Sequence, residues 1–298
     1  MINKSKSSDA SSHQNAALGV LYVVATPIGN LADMTFRAVE ILQRVSVIAC
    51  EDTRVSRKLC THYRIETPLT AYHDHNAQQA LPALLARLRE GRDVALISDA
   101  GTPLISDPGY RLVMQAIAAG ITVAPIPGAS SVIAAASVAG LPSDRLYFAG
   151  FLPTKSHARQ TALEAVAGLP ATLLYFESGR RLASTLEVMC TILGGQRQAV
   201  VAREMTKIYE EIRRDSLAEL AMHYGACDAV KGEIVLLVAP PEDESAAIDQ
   251  RVMLLLDALI PHYPARQAAS LVAEVTGQRP NVLYAQILQM KQGRESTA

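Results

Sequence analysis

The chain has 298 residues, 28 Lys and Arg against 29 Asp and Glu, a formal charge of −1, 4 Cys and no Trp. That length is too great for one small core and short for three, so two domains with an appendage are expected. A near-neutral balance argues against broad electrostatic attraction to a polyanion, and the scarcity of aromatics leaves little surface for base stacking.

Residues 1–17, rich in Ser, Asn, Gln and Lys and without an apolar run, read as a disordered leader and not as a signal peptide. No apolar stretch reaches membrane-spanning length, so a soluble protein with no membrane association is expected. The spacings of Cys50, Cys60, Cys190 and Cys227 match no zinc or redox motif, which points to a reducing cytoplasm and no bound metal.

Short apolar runs then alternate with amphipathic stretches, the pattern of α/β domains with buried sheets. Strands are predicted at Val20–Thr26, Val45–Glu51, Val94–Ala100, Thr122–Ile126, Ala171–Ser178, Ala199–Glu204 and Glu233–Ala239. Helices are predicted from about Thr35, and at Asn76–Glu90, Tyr110–Ala119, Ser131–Ala139, Arg181–Leu193 and Ser216–Tyr224. The breaker cluster Gly140–Asp144 and the Phe151-Leu152-Pro153 segment interrupt the pattern. A boundary there gives one α/β domain over residues 18–140 and a second over residues 141–240. Pro240–Ser245 reads as a polar linker. Residues 246–298 follow as a helical module, with Ala265–Thr276 and Asn281–Gln292 flanking a Gly-containing turn in the manner of a helix-turn-helix.

Three turns follow predicted strands. Thr26-Pro27-Ile28-Gly29-Asn30-Leu31 bends sharply at a strand end, where open α/β sheets bind ligands. Ser98–Gly109 packs carboxylates, glycines and prolines into a stiff loop with Asp99 at the strand tip. It lacks both the Gly-rich dinucleotide fingerprint and the Lys-Ser/Thr of a P-loop, so a nucleoside triphosphate is not expected. Ile126–Ser131 opens a helix of small residues. Together the three turns can converge on one small-molecule pocket.

With Lys231-Gly232-Glu233 before the last strand, these segments resemble the tetrapyrrole-methylase fold, two α/β domains holding S-adenosylmethionine in the cleft between them. The same turns, with Glu51-Asp52-Thr53-Arg54 and His73-Asp74-His75-Asn76, resemble the ribosomal RNA small subunit methyltransferase I family. The resemblance runs from about Leu21 to Met290. It implies S-adenosylmethionine-dependent methylation of a cytidine ribose 2′-hydroxyl in 16S rRNA of the 30S decoding region, by an enzyme commonly dimeric. The chain departs from the family pattern at Ala129, at His157 and Pro280, and after Glu177, where Gly179 and Arg180 stand.

Methyl transfer to a hydroxyl aligns three centres and removes a proton. Arg54 is a candidate to grip a phosphate, with Asp52 or His75 acting on the proton. The bland reading of Glu51–Arg54 is a strand end, a helix N-cap and a surface ion pair. For the cofactor, the resemblance points to Pro27, Asp99, Gly101, Thr102, Ser130 and Ser131. Tyr175 or Phe176 can flank the adenine, and Lys231 can enter the cleft. Contacts to RNA are expected from Arg54, Lys155 and Arg159. A tetrapyrrole-type small-molecule methylase and a non-catalytic ribosome-assembly factor are the alternatives.

Overall fold

The computed structural model describes residues 17–227, 230–241, 250–278 and 280–295. Nearly all of the expected leader and most of the expected linker lie outside them. The first unit holds strands β1 (Val20–Val24), β2 (Val47–Cys50), β3 (Leu69–Ala71), β4 (Val94–Ile97) and β5 (Thr122–Ile126). They form one parallel sheet in the order β3-β2-β4-β1-β5. A parallel sheet must be covered on both faces, and the alternation of side chains along each strand does this. Val47, Ala49, Val94 and Leu96 join the core of helices α3 (Ala77–Arg89) and α4 (Tyr110–Ala118). Their neighbours Ile48, Cys50, Ala95 and Ile97 join that of α1 (Phe36–Arg44) and α2 (Thr53–His62). Each fully buried Leu or Ile here contributes roughly 1.5–3 kcal/mol by leaving water.

Strand β1 therefore leads to a helix on one face, and its neighbour β4 to a helix on the other. Where adjacent strands part in this way, a crevice opens at their carboxyl ends. Thr26 and Gly101 bridge it by a reciprocal backbone pair of 2.9 and 3.1 Å.

The chain crosses to the second sheet earlier than the breaker cluster implies. Helix α5 (Ser131–Ala139) buries Val132, Ala135 and Ala139 against Leu174, Val200, Val235 and Leu237 of that sheet. The second sheet comprises β6 (Leu146–Phe151), β7 (Thr172–Ser178), β8 (Gln198–Arg203), β9 (Glu211–Ser216) and β10 (Glu233–Val238). Their order is β6-β7-β10-β8-β9, with β6 and β7 parallel and the rest antiparallel. Helices α6 (Ser156–Glu164), α7 (Gly179–Leu193) and α8 (Leu217–Gly225) lie on the other face, where Leu163, Leu182, Leu186, Met189 and Leu220 pack on Leu173, Tyr175 and Leu236.

Helices α9 (Gln250–Leu259), α10 (Ala265–Thr276) and α11 (Pro280–Glu295) share a core of their own, built from Val252, Leu256, Ala268, Ala269, Val272, Leu283 and Ile287. Gly277, at φ +71°, ends α10 in the left-handed conformation suited to glycine. No helix among the described residues is long and apolar enough to cross a membrane.

Candidate active site

Two adjacent cavities occupy the crevice. The larger, of about 310 Å³, takes its apolar wall from Ile28, Ile105, Phe151, Phe176 and Met205, and its polar wall from Thr102, Ser130, Ser131, Asp107, Glu177 and Glu233. No Lys or Arg lines it among the described residues. The smaller, of about 270 Å³, is lined by Pro27, Gly29, Val55, Lys58, Leu59, Asp99 and Lys207, among others. Ile28, Ala100 and Glu233 line both.

The loops around the cavities are held firmly and under strain. Thr102 Oγ1 donates to the Ala129 carbonyl at 3.1 Å, tying the loop after β4 to the turn before α5. Leu104 and Ser106 in that loop, and Glu204 and Thr206 after β8, have φ between +50° and +73°. Non-glycine residues in this region cost about 1–3 kcal/mol each and persist where surrounding contacts over-determine them. Around Glu204 those contacts are evident. Lys207 Nζ donates to Glu204 Oε1 at 2.8 Å and to Glu233 Oε2 at 2.9 Å, and the Glu233 amide donates to Glu204 Oε1 at 2.9 Å. Hydrogen bonding to Lys207 lowers the Glu204 pKa. The Asn30 amide donates to Thr206 Oγ1 at 3.1 Å, joining this loop to the turn after β1.

A buried polar network backs the larger cavity. The Glu177 carboxylate, 3% exposed, accepts from the Ser178 amide at 2.7 Å and Thr185 Oγ1 at 2.7 Å, and pairs with Arg181 at 3.4 Å. Arg159 Nη1 donates to Thr185 Oγ1 at 3.3 Å. Breaking such a buried pair strands a charge and costs about 3–5 kcal/mol. Burial first raises the pKa of Asp107, whereas a hydrogen bond from Ser98 opposes this. For Asp99, burial again raises the pKa.

The structure gathers most of the expected cofactor residues. Gly101, Thr102, Ser130 and Ser131 line the larger cavity, and Pro27 and Asp99 the smaller. Tyr175 does not face either, because alternation along β7 sends Phe176 into the cavity and Tyr175, 1% exposed, into the opposite core. Lys231 lines neither cavity, and its carbonyl accepts from Arg203, while the next two residues, Gly232 and Glu233, line the larger one.

The expected proton-handling residues line neither cavity. Asp52 caps α2 by accepting from the Arg54 amide and forms a bidentate pair with the Arg54 guanidinium. Hydrogen bonds from Arg54 lower the Asp52 pKa to about 2, which leaves it a weak base. The Arg54 side chain, 89% exposed, points to solvent. His75 is exposed, its ring 6.0 Å from that of His73. Arg159 is buried within the Glu177 network and is not available to RNA, whereas Lys155 is exposed. Lys58 and the link from Glu204 and Lys207 to Glu233 are not evident from sequence; the signals present are Lys231-Gly232-Glu233 before the last strand and the charges of Arg203-Glu204-Met205-Thr206-Lys207 at a strand end.

The cavities differ in charge. One offers carboxylates, hydroxyls and aromatic rings to a cation with an apolar body, whereas the other sets Lys58 and Lys207 beside Asp99 and Glu233. Residues 20–221 match the model of Tetrapyrrole (Corrin/Porphyrin) Methylases, and residues 246–291 match that of the RsmI C-terminal HTH domain. The chain is 55% identical over 274 residues to the ribosomal RNA small subunit methyltransferase I of Mesorhizobium japonicum, covering 91% of this chain and 92% of the relative. It is 50% identical over 281 residues to that of Pseudomonas aeruginosa, covering 93% and 99%. Among solved structures it resembles cobalt precorrin-4 methyltransferase, with TM-score 0.56 and 18% identity over 74% of this chain and 94% of that one. It also resembles uroporphyrin-III C-methyltransferase from Thermus thermophilus complexed with S-adenyl homocysteine, with TM-score 0.51 and 19% identity over 74% and 96%.

Proposed function

The chain belongs to the ribosomal RNA small subunit methyltransferase I family, and from that premise we propose that it methylates the 2′-hydroxyl of a cytidine ribose in 16S rRNA, with S-adenosylmethionine in the larger cavity and the ribose in the smaller. The observation that carries this reading is the meeting of an acidic cavity and one of mixed charge at Ile28, Ala100 and Glu233.

The residues of the larger cavity suit the cofactor. Asp107 and Glu177 favour a ligand with cationic centres, and the absence of Lys and Arg among the described lining residues disfavours one bearing phosphates. The first turn of α5, where the Ser130 side chain makes no capping bond, can receive a carboxylate on its amides. Phe151 and Phe176, with ring centroids 5.4 Å apart, offer apolar faces to a purine. When bound, S-adenosylmethionine supplies an electrophilic methyl group. The protein's part is to bind, align and exclude water.

On the substrate side, α2 carries Arg54, Arg57 and Lys58 with no acid in its first turn, and Lys58 lines the smaller cavity. The RNA is read in the assembled 30S particle, in the cytoplasm. Exposed Tyr110, Met114 and Ile117 on one side of α4 support a homodimer.

The test is methyl transfer from labelled S-adenosylmethionine to unmethylated 30S subunits, followed by alkaline hydrolysis. A 2′-O-methyl group blocks cleavage of the next phosphodiester and leaves a labelled dinucleotide. Label released only as mononucleotide places the methyl on a base and sinks the reading.

A further inference from the structure

Methyl transfer takes place where the donor cavity and the acceptor cavity meet. Glu233 is the one ionisable residue, among those described, that lines both. Asp107 and Glu177 line only the donor side, and Asp99 only the acceptor side, where its Oδ1 also accepts from the Asp52 amide at 3.1 Å. Asp52, Arg54 and His75 line neither.

The chain spends considerable structure on placing this carboxylate. Glu233 begins β10, and its amide and carbonyl are both taken by Glu204, at 2.9 Å each. Its side chain, 78% exposed, is reached by Lys207 Nζ at 2.9 Å. Lys207 is in turn wedged against the other domain, since a β-carbon on Gly29 would lie 2.5 Å from Lys207 Cγ and 2.8 Å from Thr206 Oγ1. The strained backbone at Glu204 and Thr206 brackets the same loop. A surface lysine serving only solubility needs none of these constraints.

We propose that Glu233 accepts the proton of the ribose 2′-hydroxyl during transfer, and that Lys207 is the positioning residue that holds this carboxylate at the junction of the two cavities. The inference rests on the functional reading above. In the step, the 2′-oxygen bonds to the methyl carbon, and the carbon–sulfur bond breaks with its electron pair going to sulfur. The hydroxyl proton passes to the Glu233 carboxylate and then to water. Glu204 and Lys207 are the charged groups that face Glu233 from the β8 side. Lys207 is held protonated, because its hydrogen bonds to the two carboxylates outweigh its burial and raise its pKa. It therefore orients the base and does not compete with it for the proton.

The experiment compares the wild type with Glu233→Gln, Lys207→Met and Lys207→Arg in the full-length protein. It measures kcat and KM on 30S subunits, and S-adenosylmethionine affinity by calorimetry without RNA. Glu233→Gln is expected to lower kcat about 100-fold or more, while KM and cofactor affinity stay within about threefold of wild type. Lys207→Met should lower kcat with cofactor affinity unchanged, and Lys207→Arg should restore part of the loss. A Glu233→Gln enzyme with wild-type kcat overturns the proposal, and so does one that has lost cofactor affinity tenfold or more, which would make Glu233 a cofactor ligand. If Glu233→Gln fails to fold, equal kcat in Lys207→Met and wild type overturns it instead. A wild type that binds cofactor but transfers no methyl to 30S defeats the functional reading, and not this assignment alone.

Discussion

A β-carbon on Gly232 would stand 2.5 Å from Cγ of Glu204, at a φ of +102° that side chains rarely adopt. The closeness of these two residues lets Glu204 grip the start of β10 and, through Lys207, steer Glu233. Gly232→Ala is therefore expected to cost about 1–3 kcal/mol of stability, and to lower methyl transfer more than cofactor binding. Denaturant melts with parallel rate and calorimetric measurements check this. A variant as stable and active as wild type would show that the grip is dispensable.

Neighbouring residues of β7 should behave oppositely. Tyr175 is buried with its hydroxyl lacking a hydrogen-bond partner, and burial pushes that hydroxyl's pKa up to about 12. Tyr175→Phe removes an unsatisfied group and is expected to leave stability unchanged or raise it by about 1 kcal/mol. Phe176→Ala removes a cavity wall and should weaken S-adenosylmethionine binding roughly three- to tenfold. Weaker cofactor binding in Tyr175→Phe, with Phe176→Ala unaffected, would mean the strand's two faces have been assigned the wrong way round.

These two residues also show what the sequence makes legible. Strands buried on both faces read as continuous apolar runs, so β1, β2, β4, β7, β8 and β10 are visible, as are the Gly/Pro turns that follow β1, β4 and β5. Pro27, Gly101, Thr102 and Ser130, which line the cavities, lie in those turns. The same continuity hides the phase of alternation, so Tyr175 and Phe176 are equivalent until the strand is packed. β6 and β9 are edge strands, one half-exposed and containing Gly150, the other the charged run Glu211–Ser216. β9 lacks the apolar signature, whereas β6, Leu-Tyr-Phe-Ala-Gly-Phe, is apolar but lies between the breakers Gly140–Asp144 and Pro153, which interrupt the alternating pattern there. The Glu204–Lys207–Glu233 cluster depends on pairing β8 with β10 and on contact with Gly29, relationships between distant parts of the chain that local pattern does not encode.

The carboxylates at the sheet's carboxyl edge carry a pH dependence. Burial first, then the charges of Asp99, Asp107, Asp74 and Asp52, raise the Glu51 pKa above its ordinary 4.5. A carboxyl raised on folding costs stability when both states are ionised, and the cost disappears below the unfolded value, where both are protonated. Glu51→Gln should therefore raise the melting temperature at pH 7. The advantage should shrink as pH falls through the raised value toward 4.5. A stabilisation equally large at pH 4 would point to packing and not to charge.

Removal of residues 246–298 is expected to leave cofactor binding intact, because α9, α10 and α11 bury their apolar faces in a core of their own. Transfer to 30S subunits should fall if this unit contacts substrate. Calorimetry on the truncated protein decides the first point, and its rate on 30S particles the second. Full activity would reduce the unit to an appendage.

A nearly neutral protein that acts on a polyanion must rely on a few placed cations. Of the three basic residues expected from sequence to contact RNA, Arg159 is committed to Thr185 in the interior and Arg54 is paired with Asp52, which leaves Lys155 free of both constraints. Among the described residues, the cations that line the smaller cavity, proposed to take the ribose, are Lys58 and Lys207. Lys207 is held by two carboxylates, so its net attraction for phosphate is small. Lys58 stands exposed on a basic helix. The dependence of 30S affinity on salt should accordingly be shallow, and Lys58→Ala should reduce the logarithmic slope by about 1 for the phosphate it neutralises. Asp52→Asn should release Arg54 and steepen the slope without changing kcat. With little general attraction available, specificity falls to shape, and the enzyme should prefer folded 30S particles to naked 16S rRNA. Rates and affinities on both substrates across a salt series test this. Equal rates on naked RNA, with a steep slope that Lys58→Ala leaves unchanged, would show that the RNA is held elsewhere.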